Sequence, residues 1–347
     1  MTETTAQPTT TEQGGGGAVL VANPAKVTDV AALFERVARR CAELGLPVPR
    51  LVPTTVEDPG EGQARDAAAG GAQLVLVAGG DGTIRAAAQG LAHTGVPLGI
   101  LPQGTGNLLA RNLGLPQDED EALDVALQGA ERTLDLGRLD DGTAFAVMAG
   151  AGIDALMMRE APEGLKSAVG WPAYILGGIR GLRHRRLHLT LRVDDQPPRE
   201  AVVRTVLVGN VGRLQGGLEL LPDASPDDGA LDVALVSPRS AKDWIVLVAR
   251  GLTGRHRPDH RLELLRARRV EVRTRRVEAR QVDGDLIDDG RGFTAEVDPG
   301  AVVVRVPRQD AEQHSPFVNP LTAPDHTPAH TPATPPEPSH EHRDARP

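Results

Sequence analysis

The chain has 347 residues, of which 40% are hydrophobic and 24% charged, and its formal net charge is −9. That length accommodates two domains with sizeable cores, and the acidic balance argues against nucleic acid as a partner. Cys41 is the only cysteine, so no intramolecular disulfide forms and a reducing cytoplasm is the expected setting. No apolar run approaches the roughly 18 residues of a membrane span, so any membrane contact is expected to be peripheral.

Residues 1–17 are rich in Thr and Gly, lack the charged and apolar regions of a signal peptide, and read as a disordered leader. Residues 18–22 form a short buried strand that runs into Asn23-Pro24-Ala25-Lys26. Thr28 is placed to cap the next helix. Along it Leu33, Phe34, Val37, Ala38, Cys41 and Leu44 recur at three and four residues, until Gly45 closes it. Residues 48–52 are a second strand ending at Thr54-Thr55, and 63–69 a short helix. Leu74-Val75-Leu76-Val77-Ala78 is an unbroken aliphatic run, the pattern of a buried parallel strand, and it ends in Gly79-Gly80-Asp81-Gly82-Thr83. A helix follows over 84–93, with Thr83 available as its cap. Leu98-Gly99-Ile100-Leu101-Pro102 repeats the strand, and Gln103-Gly104-Thr105-Gly106-Asn107 repeats the turn before a helix from Leu108. Strands alternating with helices predict a parallel α/β sheet covered on both faces.

Two glycine-rich turns, each behind a parallel strand, lie side by side at the carboxyl ends of one sheet, where open α/β sheets bind ligands. Their glycines let backbone N–H groups approach an anion, and a helix N-terminus favours phosphate. Asp81 adds one carboxylate.

From about Thr133 the pattern changes. The residues 145–148 form a strand running into Gly150, and a segment over 165–182 carries Trp171, Tyr174, Ile175 and Ile179 at helical spacing. Leu187, Leu189, Leu191 and Val193 alternate with polar residues. Further short strands follow at 202–208, 231–236, 270–272, 277–282, 293–297 and 302–306, with a helix over 240–252 capped by Ser240. Short alternating strands broken by Gly, Pro and Asp predict an antiparallel β-sandwich. After residue 307 the chain is Pro-, His- and Thr-rich without periodicity and reads as a disordered tail whose histidines are solvated spacers.

Gly-Gly-Asp-Gly-Thr over 79–83, followed by Pro102-Gln103-Gly104-Thr105-Gly106-Asn107 and Leu109-Ala110-Arg111-Asn112-Leu113-Gly114, resembles the diacylglycerol kinase catalytic-domain family, which includes soluble bacterial lipid kinases and the sphingosine and ceramide kinases. The resemblance implies an α/β nucleotide-binding domain over 18–132 and a β-sandwich lipid-substrate domain over 133–307, whose last strand returns toward the first, with the site in the cleft between them. It also implies ATP and Mg²⁺ as cofactors, with Asn23, Thr54 or Thr55, Gly79, Gly80, Asp81, Gly82, Thr83, Gly104, Thr105 and Asn107 toward the nucleotide. The family's catalytic base is the last residue of an Asp-Gly-Glu motif, matched here by Asp283-Gly284-Asp285, so the expected catalytic residues are Asp285 and Asp81. In some bacterial members a Mg²⁺ is held by one carboxylate and nearby carbonyls, which by position are Asp228 with Ser225 and Ala230. Asp154 and Lys166 fall where polar residues face the cleft.

The chain departs from the pattern in three places. The family continues Gly-Gly-Asp-Gly-Thr with an aliphatic residue and then Asn-Glu, whereas Ile84 is followed here by Arg85-Ala86; its motif glutamate is Asp285, one methylene shorter. Arg85 is therefore a candidate to meet phosphate or a lipid head group. The implied activity is ATP-dependent phosphorylation of a hydroxyl on diacylglycerol or a related lipid at an anionic membrane surface. The alternatives are an NAD kinase, which shares Gly-Gly-Asp-Gly but not the second run, and a nucleotide-binding module without catalysis. Arginines cluster at Arg180, Arg183, Arg185 and Arg186, and again between Arg250 and Arg280, as candidate contacts with anionic lipid.

Overall fold

The computed structural model describes residues 17–152, 155, 181–214, 217–254 and 259–308. Strands β1 (Ala18–Ala22), β2 (Arg50–Pro53), β3 (Leu74–Gly79) and β4 (Leu98–Pro102) pair in parallel in the order β2-β1-β3-β4. Helices α1 (Val30–Glu43), α2 (Glu61–Ala69), α3 (Asp81–Gly90), α4 (Leu108–Asn112) and α5 (Glu119–Gln128) accompany them. The two-residue period of a strand sends alternate side chains to opposite faces. Leu20, Leu76 and Leu101 therefore pack on Val37 and Cys41 of α1 and on Ala122 and Ala126 of α5. Val75, Val77 and Ile100 face Ala64 and Ala67 of α2 and Ile84 and Ala88 of α3.

The remaining strands are mostly antiparallel: β5 (Ala130–Leu139), β6 (Ala144–Phe145), β7 (Met148–Gly152), β8 (Leu187–Val193), β9 (Arg199–Val203), β10 (Thr205–Gly209), β11 (Leu231–Val236), β12 (Leu262–Ala267), β13 (Arg269–Val282) and β14 (Asp285–Val306). Val206, Val208, Leu231 and Val233 from β10 and β11 share a core with Leu189, Leu191, Val270, Val272 and Phe293 from β8, β13 and β14. Helix α6 (Ala241–Thr253), capped by Ser240, packs Trp244, Leu247 and Val248 behind Ala234 and Val236. The end of β14 returns to the parallel sheet, where Val304 pairs with Leu98, so all the strands belong to one continuous sheet.

The sequence expectations shift at several edges. Asp29 rather than Thr28 caps α1, its carboxylate accepting from the Ala32 N–H. The N-cap of α3 is Gly80, and Thr83 lies buried inside the first turn. The strand expected over 202–208 divides at Arg204, whereas the pieces at 270–272 and 277–282 form one strand with a register shift between Arg273 and Glu278. Helix α5 and strand β12 escaped the pattern reading because alanines and arginines occupy positions where large aliphatics make periodicity visible. Most of the helix expected over 165–182 lies outside the described residues.

Two buried carboxylates hold this architecture. Asp135 on β5 accepts from the Gly229 N–H and the Gly300 N–H, both at 2.7 Å, fastening the irregular stretch of β14. Asp283, in a two-residue turn between β13 and β14 with φ values of 48° and 91° at Asp283 and Gly284, accepts from the N–H groups of Ala146, Val147 and Met148 at 2.8–2.9 Å. Positive φ at both turn residues is what an Asp-Gly hairpin needs. Burial pushes the Asp283 carboxyl up to about 6, while Arg85 and the three donors pull the other way. Removing the carboxylate in Asp283→Ala strands three buried donors at about 1–3 kcal/mol each, so denaturant unfolding should show a loss of at least about 3 kcal/mol. Because the folded value lies above the unfolded one, wild type's advantage over Asp283→Ala should be fullest below about pH 4. It should shrink as pH rises through about 6.

Candidate active site

The two glycine turns meet as the strand order predicts. The Gln103 N–H donates to the Gly79 carbonyl at 2.9 Å, setting the turn after β4 against the turn after β3. A Cβ on Gly104 would lie 2.8 Å from the Gly80 Cα, so two glycine backbones are in contact and neither neighbour can yield. Asn107 adopts φ 46°, and its side-chain oxygen accepts from the Gly104 N–H at 2.9 Å, closing the second loop on itself. Asp81 reaches across to accept from the Leu108 N–H at 2.5 Å, and a Cβ on Gly106 would meet its other oxygen at 2.8 Å. Burial raises the Asp81 carboxyl, and the negative charge of Asp285 adds to the rise.

Around the loops, the Asn23 amide donates to the Thr83 hydroxyl at 2.8 Å and its carbonyl oxygen accepts from the Ala25 N–H, which ties the end of β1 to α3. The stem of Lys26 passes Gly80, with Cε 3.9 Å from the position of a Cβ there. Of the two adjacent threonines, Thr54 is buried at the end of β2, its N–H on the Ala22 carbonyl. Thr55 is exposed and its hydroxyl accepts from the Asp58 N–H. Thr105 stands exposed at the crest of the second loop.

The antiparallel half supplies one more group. Asp285 opens β14 directly over the first turn of α3: a Cβ on Gly82 would lie 2.8 Å from its Oδ2. Arg85 holds that oxygen at 3.1 Å through Nη2 and donates to the Val282 carbonyl at 3.1 Å through Nη1. The expectation that Arg85 meets phosphate or a head group is thereby corrected, since its guanidinium is directed to the hairpin. Nothing in the local sequence revealed this contact, because its partners are set beside α3 only by the return of β14. Asp283, buried under its three donors, faces away from solvent.

Ser225, Asp228 and Ala230 lie together in the turn that leads into β11. Asp228 pairs with Arg266 at 2.5 Å and accepts from the Ala230 N–H, while the Ser225 hydroxyl donates to Asp227. Burial raises the Asp228 carboxyl against the pull of Arg266. A cation held by Asp228 with the carbonyls of Ser225 and Ala230 would share the carboxylate with Arg266, whose side chain is half exposed. Among the described residues no group of three or more His, Cys, Asp or Glu is placed to hold a metal. Asp154 and Lys166 lie outside the described residues.

Residues 17–139 match the family model "Diacylglycerol kinase catalytic domain", and residues 147–306 match "YegS C-terminal NAD kinase beta sandwich-like domain". The chain belongs to the diacylglycerol kinase catalytic-domain family. Over 216 residues it is 33% identical to a diacylglycerol kinase of Mycobacterium tuberculosis, covering 59% of this chain and 68% of that protein. Over 225 residues it is 30% identical to one from Bacillus subtilis, covering 64% and 74%. A Klebsiella pneumoniae protein named "Probable lipid kinase YegS-like" is 33% identical over 47% of this chain and 56% of its own length, so the match spans little more than half of that relative. Among solved structures, a Bacillus anthracis diacylglycerol kinase superposes with a TM-score of 0.65 at 19% identity, covering 84% of this chain and 96% of the other, which establishes the shared fold.

The contact of Gly80 with Gly104 has a direct test. Gly104→Ala forces the loops apart, an overpacking cost of about 1–3 kcal/mol. Denaturant unfolding should show that loss in stability, with the melting temperature lowered by several degrees.

Proposed function

We propose that this protein is an ATP-dependent lipid kinase that phosphorylates a hydroxyl of diacylglycerol or a related lipid, giving a phosphatidic acid-type product. The observation that carries this reading is the placement of the Asp285 carboxylate over Gly82, at the head of the helix that follows the first glycine turn. Phosphoryl transfer requires held phosphates, neutralised charge and a group that takes the acceptor's proton. In this reading the N–H groups around Gly80–Gly82 and those of Thr105 and Gly106 cradle the phosphates of ATP, which arrives with its own divalent cation. Lys26 lies beside the same loop and offers charge. Thr54 and the Asn23–Thr83 pair define the edge nearest β1, and Asn107 and Asp81 keep the second loop in shape. Asp285, exposed and at the mouth, is the base toward the lipid hydroxyl.

The cation placement bears on membrane approach as well. Among the described residues, six of the nine arginines between 250 and 280 pair with carboxylates: Arg250 and Arg261 with Asp259, Arg266 with Asp228, Arg269 with Glu296, Arg273 with Glu271 and Arg275 with Glu200. That stretch is therefore a neutralised surface rather than the second docking patch expected from composition. Arg183, Arg185 and Arg186 are exposed, with only the 3.7 Å contact of Arg185 to Glu278 among the described residues. No helix among the described residues is long and apolar enough to cross a membrane. We assign docking on anionic lipid to these three, each worth on the order of 1 kcal/mol. In vesicle sedimentation, reversing all three to Glu should cut binding and its salt dependence together while ATP affinity stays unchanged.

Incubation with γ-labelled ATP, mixed lipids and NAD, resolved by thin-layer chromatography, tests the main reading. Label in a phosphatidic acid-type product supports it. Label in NADP selects an NAD kinase, and nucleotide binding without any labelled product selects a non-catalytic module. In the same assay Asp285→Asn should lower kcat by about 10²–10⁴-fold with ATP affinity little changed.

A further inference from the structure

Two of the chain's departures from its family's pattern meet in a single contact. Arg85 stands where the family has Asn, and Asp285 where it has Glu. Arg85 lies four residues after Asp81, so the two share one face of α3, the face turned to the β13–β14 hairpin. Its guanidinium uses two prongs. Nη1 holds the Val282 carbonyl at the end of β13, and Nη2 holds Asp285 Oδ2 at the start of β14, both at 3.1 Å. It therefore grips the hairpin on both sides of the Asp283-Gly284 turn.

This ion pair contributes little to folding. The Asp285 side chain is 56% exposed, and exposed pairs of this kind are worth little against solvent and salt. What the pair does fix is direction. An aspartate side chain reaches about 1.5 Å less far than glutamate, the length of one carbon–carbon bond, and is otherwise free to rotate. With Oδ2 held by Arg85, Oδ1 is the oxygen left to face an acceptor. A planar fork does this from two nitrogens at fixed positions, whereas an ammonium would have to reach both oxygens from a single rotating nitrogen.

We infer that Arg85 is a positioning residue for the reaction: it orients the shortened carboxylate of Asp285 over the first turn of α3, so that Arg85 and Asp285 act as one unit. The inference rests on the reading of Asp285 as the base. Its test is a set of initial-rate measurements with MgATP and diacylglycerol in mixed micelles, with melting curves for every variant. Arg85→Asn should lower kcat by about 10- to 100-fold, the loss that a misdirected catalytic group brings, while KM for ATP moves by less than about threefold. Arg85→Lys, which keeps the charge and loses the fork, should fall between Arg85→Asn and wild type. Adding Arg85→Asn to Asp285→Asn should cost nothing further. In the Arg85→Asn background, Asp285→Glu should restore much of the lost turnover, because the longer side chain reaches without the clamp.

Losses that multiply independently, wild-type turnover in Arg85→Asn, a defect confined to KM for ATP, or failure of Asp285→Glu to restore activity would each overturn the inference. The two readings fail differently. Wild-type turnover in Asp285→Asn removes the base assignment itself, whereas an inactive Asp285→Asn beside a fully active Arg85→Asn removes only the role given to Arg85.

Discussion

Three backbone N–H groups converge on one buried carboxylate, Asp283, and the geometry of the candidate site follows from that. The donors belong to Ala146, Val147 and Met148, in the bend that joins β6 to β7. Without an acceptor they would be stranded in a dry interior, and the hairpin turn would lose its anchor. With it, the turn is fixed against the middle of the sheet. Asp285, two residues on, is thereby carried to the head of α3, beside Gly82.

The other side of the site depends on absence of side chains. Gly80 and Gly104 touch through their backbones, and Gly82 and Gly106 leave the room taken by the carboxylates of Asp285 and Asp81. A methyl group at Gly82, Gly104 or Gly106 collides with a neighbour, whereas one at Gly80 meets only ordinary contacts. These glycines add no side chain at the head of α3, where the helix end favours an anion. Asp81 complements this arrangement by accepting the Leu108 N–H, so its carboxylate serves the second loop as well as the first.

The parallel half was legible because its signals are local. An aliphatic run followed by glycines states both the buried strand and the turn, as at Leu74 to Gly82, and α1 announces itself by the spacing of Leu33, Val37 and Cys41. Edges depended on finer competition, such as Asp29 outdoing Thr28 as the cap. The candidate site was legible only in part. The glycine loops and the Asp283-Gly284-Asp285 turn were visible through their resemblance to a family, yet nothing in sequence distinguished the buried clamp, Asp283, from the exposed carboxylate beside it. Arg85 was misread for the same reason. Its partners are created by long-range pairing, through a β14 that runs 22 residues and returns to β4, and such contacts leave no periodic trace. Charge clusters were equally opaque: the arginines from 250 to 280 looked like a basic surface until their acidic partners on neighbouring strands and turns came into view.

The central claim is that the Asp283 clamp holds the hairpin rigidly against the bend at Ala146 to Met148. Amide hydrogen exchange tests it most directly, because Ala146 and Val147 lie outside any strand and would exchange quickly if the bend were an ordinary loop. The account predicts that the Ala146, Val147 and Met148 amides exchange only on global unfolding, at the rates of the β3 core. Exchange of these three at the rate of exposed loops, with β3 still protected, would contradict it.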